Sequence, residues 1–367
     1  MTFNILKTYY EVSRNQRSSK LRKAILTPAN LSEVSRDSSL ELSQKSSLTS
    51  NGTSDNWKKL WREHQRILEL SWDQDVAESY QGASLIEIPD KLPHFSFMDL
   101  KIMIAEKIFQ ECILCPQKCQ VDRNLEPGSC GVTEPRISSE FLHIGEEPPL
   151  VPSHTVFFSG CNLNCVFCQN YDISTNPQNG KLINPSALAH RIDQRRREGS
   201  RNVNFVGGDP APNLLYILKT MQLTRENIPV VWNSNMYLSQ ESMKLLDGFA
   251  DLYLTDFKYG NDECALMLSG VTNYMGVVAH NHKLAKKAGD VIIRHLILPG
   301  HGECCSMPIL KWVYKNLGSD VVLNIMGQYQ PLYQAFRYSD IFCMISPREV
   351  GAVVDYAKDL GFRNIIN

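Results

Sequence analysis

A chain of 367 residues with 43% hydrophobic side chains is long enough for one large buried core with appendages. Its 38 basic and 39 acidic residues leave a net charge of -1, which excludes the electrostatic footprint of a nucleic-acid or anionic-membrane binder. Eleven cysteines over this length do not make a secreted disulfide framework, and their clustering reads as metal binding in a reducing compartment. No apolar run has the length of a bilayer span, and the basic start up to Lys23 carries Glu11 and no amphipathic pattern, so the expected location is the cytoplasm.

Residues 1–56 are polar and rich in Ser and Asn, and they are expected to form a disordered tail because they offer too little apolar surface to offset ordering entropy. From residue 57 the pattern turns helical. Trp57, Leu60, Trp61, His64, Leu68 and Trp72 recur on one face, with Ser54 or Asp55 as the cap. Residues 57–107 are therefore read as a helical extension whose tryptophans dock on the main body, with His64 as a packed side chain. A partner-binding helix is the sharper alternative.

In the cysteine-rich segment 108–150, Cys112, Cys115, Cys119 and Cys130 form a Cys-x2-Cys-x3-Cys-x10-Cys pattern, with Pro116, Pro127 and Gly128 in its turns. Four thiolates close a site. That makes it structural or electron-relaying, holding zinc or an iron-sulfur cluster, with inert thiols as the alternative.

Residues 151–367 alternate strand and helix patterns. The loop after the first strand reads Ser159-Gly-Cys-Asn-Leu-Asn-Cys-Val-Phe-Cys-Gln-Asn170, so Cys161, Cys165 and Cys168 form a Cys-x3-Cys-x2-Cys triplet. Three thiolates can hold three irons of a [4Fe-4S] cluster and leave the fourth for a non-protein ligand. S-adenosylmethionine suits that position through its amino and carboxylate groups, and an electron from the cluster then releases a 5'-deoxyadenosyl radical. Strands are expected at 155–158, 203–206, 229–232, 252–257, 291–298 and 321–325, and helices at 185–198, 213–221, 239–249, 273–288, 307–316 and 347–360. Six such units predict an α/β fold, an open, partial (β/α)6 barrel with ligands at the carboxyl ends of its strands.

Those strand ends carry the candidate pocket. Gly207 and Gly208 let a ligand approach backbone, and Asp209 can accept from an ammonium group. Asn233 and Asn235 suit ribose hydroxyls and a carboxylate. Asp256 and Lys258 are two apart and so on one face. Arg294, inside an apolar run, must either pair with Asp256 or meet an anionic ligand group. Cys304 and Cys305 are adjacent and not expected to share a metal, although a thiol there could relay a hydrogen atom. Cys264 and Cys343 are read as isolated buried residues.

The cysteine triplet, the Gly-Gly-Asp-Pro turn at 207–210, Thr255-Asp-Phe-Lys258 and the 294–300 segment together resemble the radical S-adenosylmethionine superfamily. More narrowly, with Cys112 to Cys130, Trp232-Asn-Ser-Asn-Met-Tyr237, His301-Gly-Glu-Cys-Cys305 and Gln328-Tyr-Gln-Pro331, they are similar to uncharacterised homologues of the pyruvate formate-lyase activating enzyme. The resemblance covers roughly residues 108 to 365. It implies that Cys161, Cys165 and Cys168 hold the cluster, and that Gly207, Gly208 and Asp209 bind the amino end of the cosubstrate, with Asp209 standing where Glu is usual. It further implies an oxidoreductase core over 151–367, an electron donor such as flavodoxin or ferredoxin, and as one substrate the glycine backbone of a partner enzyme. A non-catalytic iron-sulfur or zinc protein of electron transfer is the rival reading; it requires a fourth protein ligand near the triplet and no cosubstrate pocket.

Overall fold

In the computed structural model, which describes residues 3–30, 50–71 and 92–366, nine strands form one sheet ordered β3-β1-β2-β4-β5-β6-β7-β8-β9. They are β1 (Arg136–His143), β2 (Ser153–Phe158), β3 (Lys181–Leu182), β4 (Asn202–Gly207), β5 (Val230–Ser234), β6 (Leu252–Asp256), β7 (Asp290–Leu296), β8 (Val322–Met326) and β9 (Ile365–Ile366). Every pairing from β2 through β4 to β9 is parallel, while β1 lies antiparallel to both β2 and β3. The sheet ends at β3 and β9 without closing, so the expected open barrel is present. Its six predicted strands fall on β2 and β4–β8. The short β9 and the antiparallel β1 and β3 add to them. Because β1 joins the sheet, residues 108–150 are not a unit separate from the barrel.

Helices Pro185–Arg197, Leu214–Gln222, Gln240–Leu246, Tyr274–Ala288, Met307–Leu317 and Pro347–Asp359 connect the parallel strands. Several start on side chains that satisfy otherwise orphaned backbone donors. Asn184 accepts from Ser186 N at 2.9 Å ahead of Pro185, and Ser346 with Glu349 makes a reciprocal capping box. Among the described residues no helix is long and apolar enough to cross a membrane.

Alternation along the strands gives the barrel interior two layers. Val231, Leu252, Leu254, Ile292 and Val322 belong to one buried apolar cluster at the amino ends. Two residues further on, the same inward face of β5, β6, β7 and β8 carries Asn233, Asp256, Arg294 and Asn324. The strands thus run from an apolar floor to a polar rim.

The floor is closed by the segment expected to be disordered, and here the structure corrects the sequence reading. Phe3, Leu6, Tyr9 and Tyr10 join the floor cluster from helix Lys7–Ser13 and the turn before it. The Tyr9 hydroxyl accepts from Asn202 Nδ2 at 2.8 Å, and Tyr9 N donates to Asp290 Oδ2 at 2.8 Å. Helix Lys20–Leu26 follows, its start fixed where Ser19 N and Lys20 N donate to Asn227 and Asp251, each at 2.9 Å. The aromatic residues among the first ten find apolar partners in the mouth of the barrel as well as in each other, so composition of the tail alone undervalues them. Residues 31–49 of the expected tail, and Trp72, lie outside the described residues.

The tryptophan-bearing helix spans Ser50–Ser71, starting earlier than its expected cap. Leu60, His64 and Ile67 are buried, while Trp57 and Trp61 are partly buried against the same core, edge to face at 5.5 Å. His64 is packed, as expected: Lys101 Nζ lies 3.0 Å from its Nε2 and donates to Leu245 O and Asp247 O at 3.0 and 2.6 Å.

Tyr9→Ala should lower unfolding stability by about 3 to 5 kcal/mol, the range for deleting a fully buried aromatic, and should lower the urea midpoint accordingly. Lys7→Ala, at a side chain 81% exposed on the same helix, should change it by less than ~0.5 kcal/mol. Equal midpoints for the two variants would show that the segment does not seal the floor.

Candidate functional site

Cys161, Cys165 and Cys168 stand on the loop leaving β2, and hydrogen bonds fix that loop from several sides. Gly160 N donates to Ile173 O at 2.8 Å, Leu163 N lies 3.4 Å from Cys161 Sγ, and Ser269 Oγ donates to Cys165 Sγ at 2.9 Å. Cys168 Sγ is 3.3 Å from Ser174 Oγ. Phe167 is buried edge-on against Tyr259 and Tyr329, screening the loop from water on one side. Burial pushes the Cys161 and Cys165 thiols up, and the nearby Lys258 ammonium opposes the rise at Cys165. Such thiols become thiolates when a metal takes them.

Beside the triplet opens a cavity of about 280 Å³ over the carboxyl ends of the parallel strands. All eight residues expected at the pocket, Gly207, Gly208, Asp209, Asn233, Asn235, Asp256, Lys258 and Arg294, line it together with the three cysteines. Gln169, Asn170, Ser234 and Gln328 line it too, although the sequence names them only within longer motifs. Adjacency to the third cysteine was the available signal for Gln169 and Asn170, and position at a strand end for Ser234 and Gln328.

The wall residues divide by what they already bind. A Cβ on Gly207, at φ +135°, would come within 2.0 Å of Phe158 O, and one on Gly208 within 2.2 Å of Gly160 O. These glycines are required because the ends of β2 and β4 touch backbone to backbone. Asp209 is 1% exposed and accepts from Ala211 N, Asn235 N and Ser234 Oγ at 2.9, 2.9 and 3.0 Å. Burial raises its carboxyl to about 6 against those hydrogen bonds. Its oxygens are already engaged, so it acts chiefly to hold the end of β5 against β4. Asn235 accepts from Tyr237 N and donates to Asn162 at 2.8 and 2.7 Å, with its Nδ2 3.7 Å from Cys161 Sγ. Asn233 is different: its Oδ1 accepts from Arg294, but its buried Nδ2 has no hydrogen-bond partner among the described residues. It is a donor left over for a ligand.

Arg294 takes the first of the two arrangements expected of it. Its Nε donates to Asp256 Oδ1 at 2.8 Å, and Lys258 Nζ donates to Asp256 Oδ2 at 2.7 Å. Burial would push the Asp256 carboxyl up, but the two cations prevail and hold it at about 2. Beneath them the β1–β2 connection inserts Glu147, whose Oε1 accepts from Asn324 at 2.8 Å and whose carboxyl is raised by burial.

The upstream cysteines gather as well. Cys112, Cys115, Cys119 and Cys130 line one small space with Arg123, Gly128 and Asn162. Backbone pairs Cys112 N to Val121 O and Gln120 N to Cys112 O, at 2.9 and 3.0 Å, fold the segment onto itself. Asn162, next to Cys161, puts this space directly behind the triplet.

The expectation for the remaining cysteines is corrected in part. Cys264 is not isolated, because it meets Cys304, Cys305 and His301 within one cluster whose ligand atoms all lie within 4.8 Å. Cys304 and Cys305 can share it because they follow His301 by three and four residues in a wide helical turn, Gly302–Ser306, which brings both to one face. Cys343 is exposed rather than buried.

Since the folded Asp256 is a stronger acid than a free carboxyl, the unfolded chain binds its proton first as pH falls. Its stabilisation is complete above the ordinary value of about 4 and is lost as pH drops towards 2. Asp256→Ala should therefore flatten that acid limb of a stability-pH profile. At neutral pH it should cost about 2 to 3 kcal/mol, from leaving Arg294 and Lys258 unpaired. An unchanged acid limb would remove Asp256 as the partner of both cations.

A family model described as the radical SAM superfamily matches residues 155–313, from β2 into helix Met307–Leu317. The chain is 49% identical over 269 residues to the uncharacterised protein MJ0674 of Methanocaldococcus jannaschii, covering 72% of this chain and 79% of that one. It is 24% identical over 245 residues to MJ0808 of the same organism, covering 61% and 71%. Among solved structures, methylornithine synthase (PylB) aligns at 16% identity and a TM-score of 0.42, covering 82% of this chain and 77% of that one. SuiB of Streptococcus suis bound to precursor peptide SuiA aligns at 13% identity and a TM-score of 0.42 over 82% of this chain, which spans 60% of that SuiB chain.

Proposed function

This chain belongs to the radical SAM superfamily, and from that premise we propose that Cys161, Cys165 and Cys168 hold a [4Fe-4S] cluster and that the adjoining cavity binds S-adenosylmethionine. The observation that carries the reading is the juxtaposition itself: three thiols, with no backbone ladder to satisfy, at the edge of the cavity formed by the strand ends. When bound, the reduced cluster supplies the electron that cleaves the cosubstrate and releases a 5'-deoxyadenosyl radical for hydrogen abstraction.

The chain's own residues bind, orient and shield. The end of β4 presents backbone to the amino end of the cosubstrate, and Asp209 keeps that backbone against Ser234 and Asn235. The unpartnered Nδ2 of Asn233 offers a hydrogen bond inside the cavity. Lys258 and Arg294, paired to Asp256, present cationic faces suited to a carboxylate. Phe167 and the tyrosines around it keep water from the triplet. The four upstream cysteines would hold a second metal, zinc or iron-sulfur, whose nearness across Asn162 suits electron relay from a donor such as a flavodoxin or ferredoxin. The finer reading, resting on resemblance, is hydrogen abstraction from a glycine α-carbon of a partner enzyme. The presence of a cavity beside the triplet, at the strand ends, favours the enzyme over the non-catalytic electron-transfer protein.

Anaerobically reconstituted, dithionite-reduced protein should convert S-adenosylmethionine to 5'-deoxyadenosine and methionine, and Cys161→Ala, Cys165→Ala or Cys168→Ala should each abolish this. Normal turnover in any of the three would overturn the assignment. The triple variant should still carry metal on the upstream cysteines, measured as iron or zinc that Cys112→Ala with Cys115→Ala removes.

A further inference from the structure

Four side chains with no part in the proposed reaction meet above β6 and β7. Cys264 lies in the first turn of helix Asp262–Ser269, and His301, Cys304 and Cys305 lie on the turn after β7. Cys264 Sγ is 3.9 Å from Cys304 Sγ and 3.6 Å from His301 Nδ1, while Cys304 Sγ is 3.9 Å from Cys305 Sγ and 3.3 Å from His301 Nδ1. A tetrahedral zinc ion, with Zn–S about 2.3 Å and Zn–N about 2.0 Å, sets ligand edges of about 3.8 Å between sulfurs and about 3.5 Å between sulfur and nitrogen. All the ligand atoms lie within 4.8 Å of one another, and these four distances lie close to those values. They are nearly twice the ~2.05 Å of a disulfide, and all four atoms are closer together than the wide cradle of an iron-sulfur cube requires.

We propose that Cys264, His301, Cys304 and Cys305 form a structural Zn²⁺ site of three thiolates and one imidazole. The donor set selects a thiophilic tetrahedral ion over magnesium, calcium or manganese. The imidazole binds through Nδ1, since Nε2 is 3.1 Å from Asp340 Oδ2, the carboxylate-histidine arrangement that fixes a metal-bound ring. Asn261 supports the other side: it caps the helix by accepting from Cys264 N at 2.8 Å, donates to Cys304 O at 2.9 Å, and its Nδ2 lies 3.9 Å from Cys305 Sγ. Three thiol protons leave as the ion enters, and with four protein ligands no position stays open for substrate.

The site ties the loop after β6, with Lys258 at its start, to the loop after β7. It also anchors the helix whose last residue, Ser269, donates to Cys165 Sγ. A Cβ on Gly260 would lie 2.7 Å from Cys305 O, so these loops are already in backbone contact. Zinc there would hold the cysteine triplet's neighbour in place without touching the cosubstrate.

The test uses the full chain, grown with zinc and purified anaerobically, and needs no turnover. Zinc-edge X-ray absorption on the protein carrying Cys112→Ala with Cys115→Ala, which removes metal from the upstream cysteines, should report three sulfurs and one imidazole nitrogen, and that signal should be lost when Cys304→Ala is added. Asp340→Asn should weaken zinc retention against a chelator by roughly ten- to a hundredfold. In the wild-type protein Cys304 should resist alkylation until the chelator is added, whereas Cys343, also exposed, reacts at once. An all-sulfur sphere, an absence of zinc, or equal alkylation rates for Cys304 and Cys343 would each overturn the proposal, the last two without relying on any variant that must fold.

Discussion

Arg294 is the group around which the interior of this barrel is arranged. A guanidinium on the inward face of a buried strand needs several acceptors, and the neighbouring strands supply them: Asp256 on β6 and Asn233 on β5, with Glu147 below. Those partners must stand at the same height in the sheet, and the parallel register delivers this, since Asp256 pairs with Arg294 and Arg294 with Asn324. The charged layer in turn defines where the barrel stops being a core and starts being a cavity. Side chains two residues towards the amino ends are aliphatic and packed, and the space above is open to a ligand.

The same layer explains why both ends of the barrel need additions. An open sheet of parallel strands covers its outer face with helices but leaves the mouth of its interior to water. At the amino ends the mouth is filled by Phe3, Leu6, Tyr9 and Tyr10, borrowed from far upstream. At the carboxyl ends the walls are loops, and three groups of cysteines lie among or behind them. Metal held by those thiols, as proposed above, would serve there where apolar burial serves below.

Strands and helices of the barrel were legible because the strands are short apolar runs followed by turn residues, and several helices open on a recognisable cap such as Asn184-Pro185 or Ser346 with Glu349. The pocket was legible because the architecture assigns ligands to strand ends, so polar residues there could be collected without knowing their contacts. Their individual duties could not. Asp209 and Asn235 bind the protein itself, which depends on side-chain directions after the strand ends. The first thirty residues were misjudged because the Ser-rich stretch from 31 to 56 lowers the apolar average of the whole tail, and because the partners of Tyr9 lie 193 and 281 residues away. Cys264 looked isolated for the same reason: its companions lie 37 to 41 positions further on, and the wide turn that turns Cys304 and Cys305 the same way leaves no mark in spacing.

The distance between the floor segment and its partners also bears on how the chain reaches this state. Tyr9 bonds to Asp290, 281 residues later, and to Asn202, 193 residues later. These aromatic residues leave the ribosome long before β7 exists to receive them, and closing so large a loop rewards the chain only after the barrel has formed. Until then Phe3, Tyr9 and Tyr10 travel as exposed apolar surface, the kind that chaperones hold during synthesis. The floor of the barrel is therefore closed by residues made long before the strands that receive them.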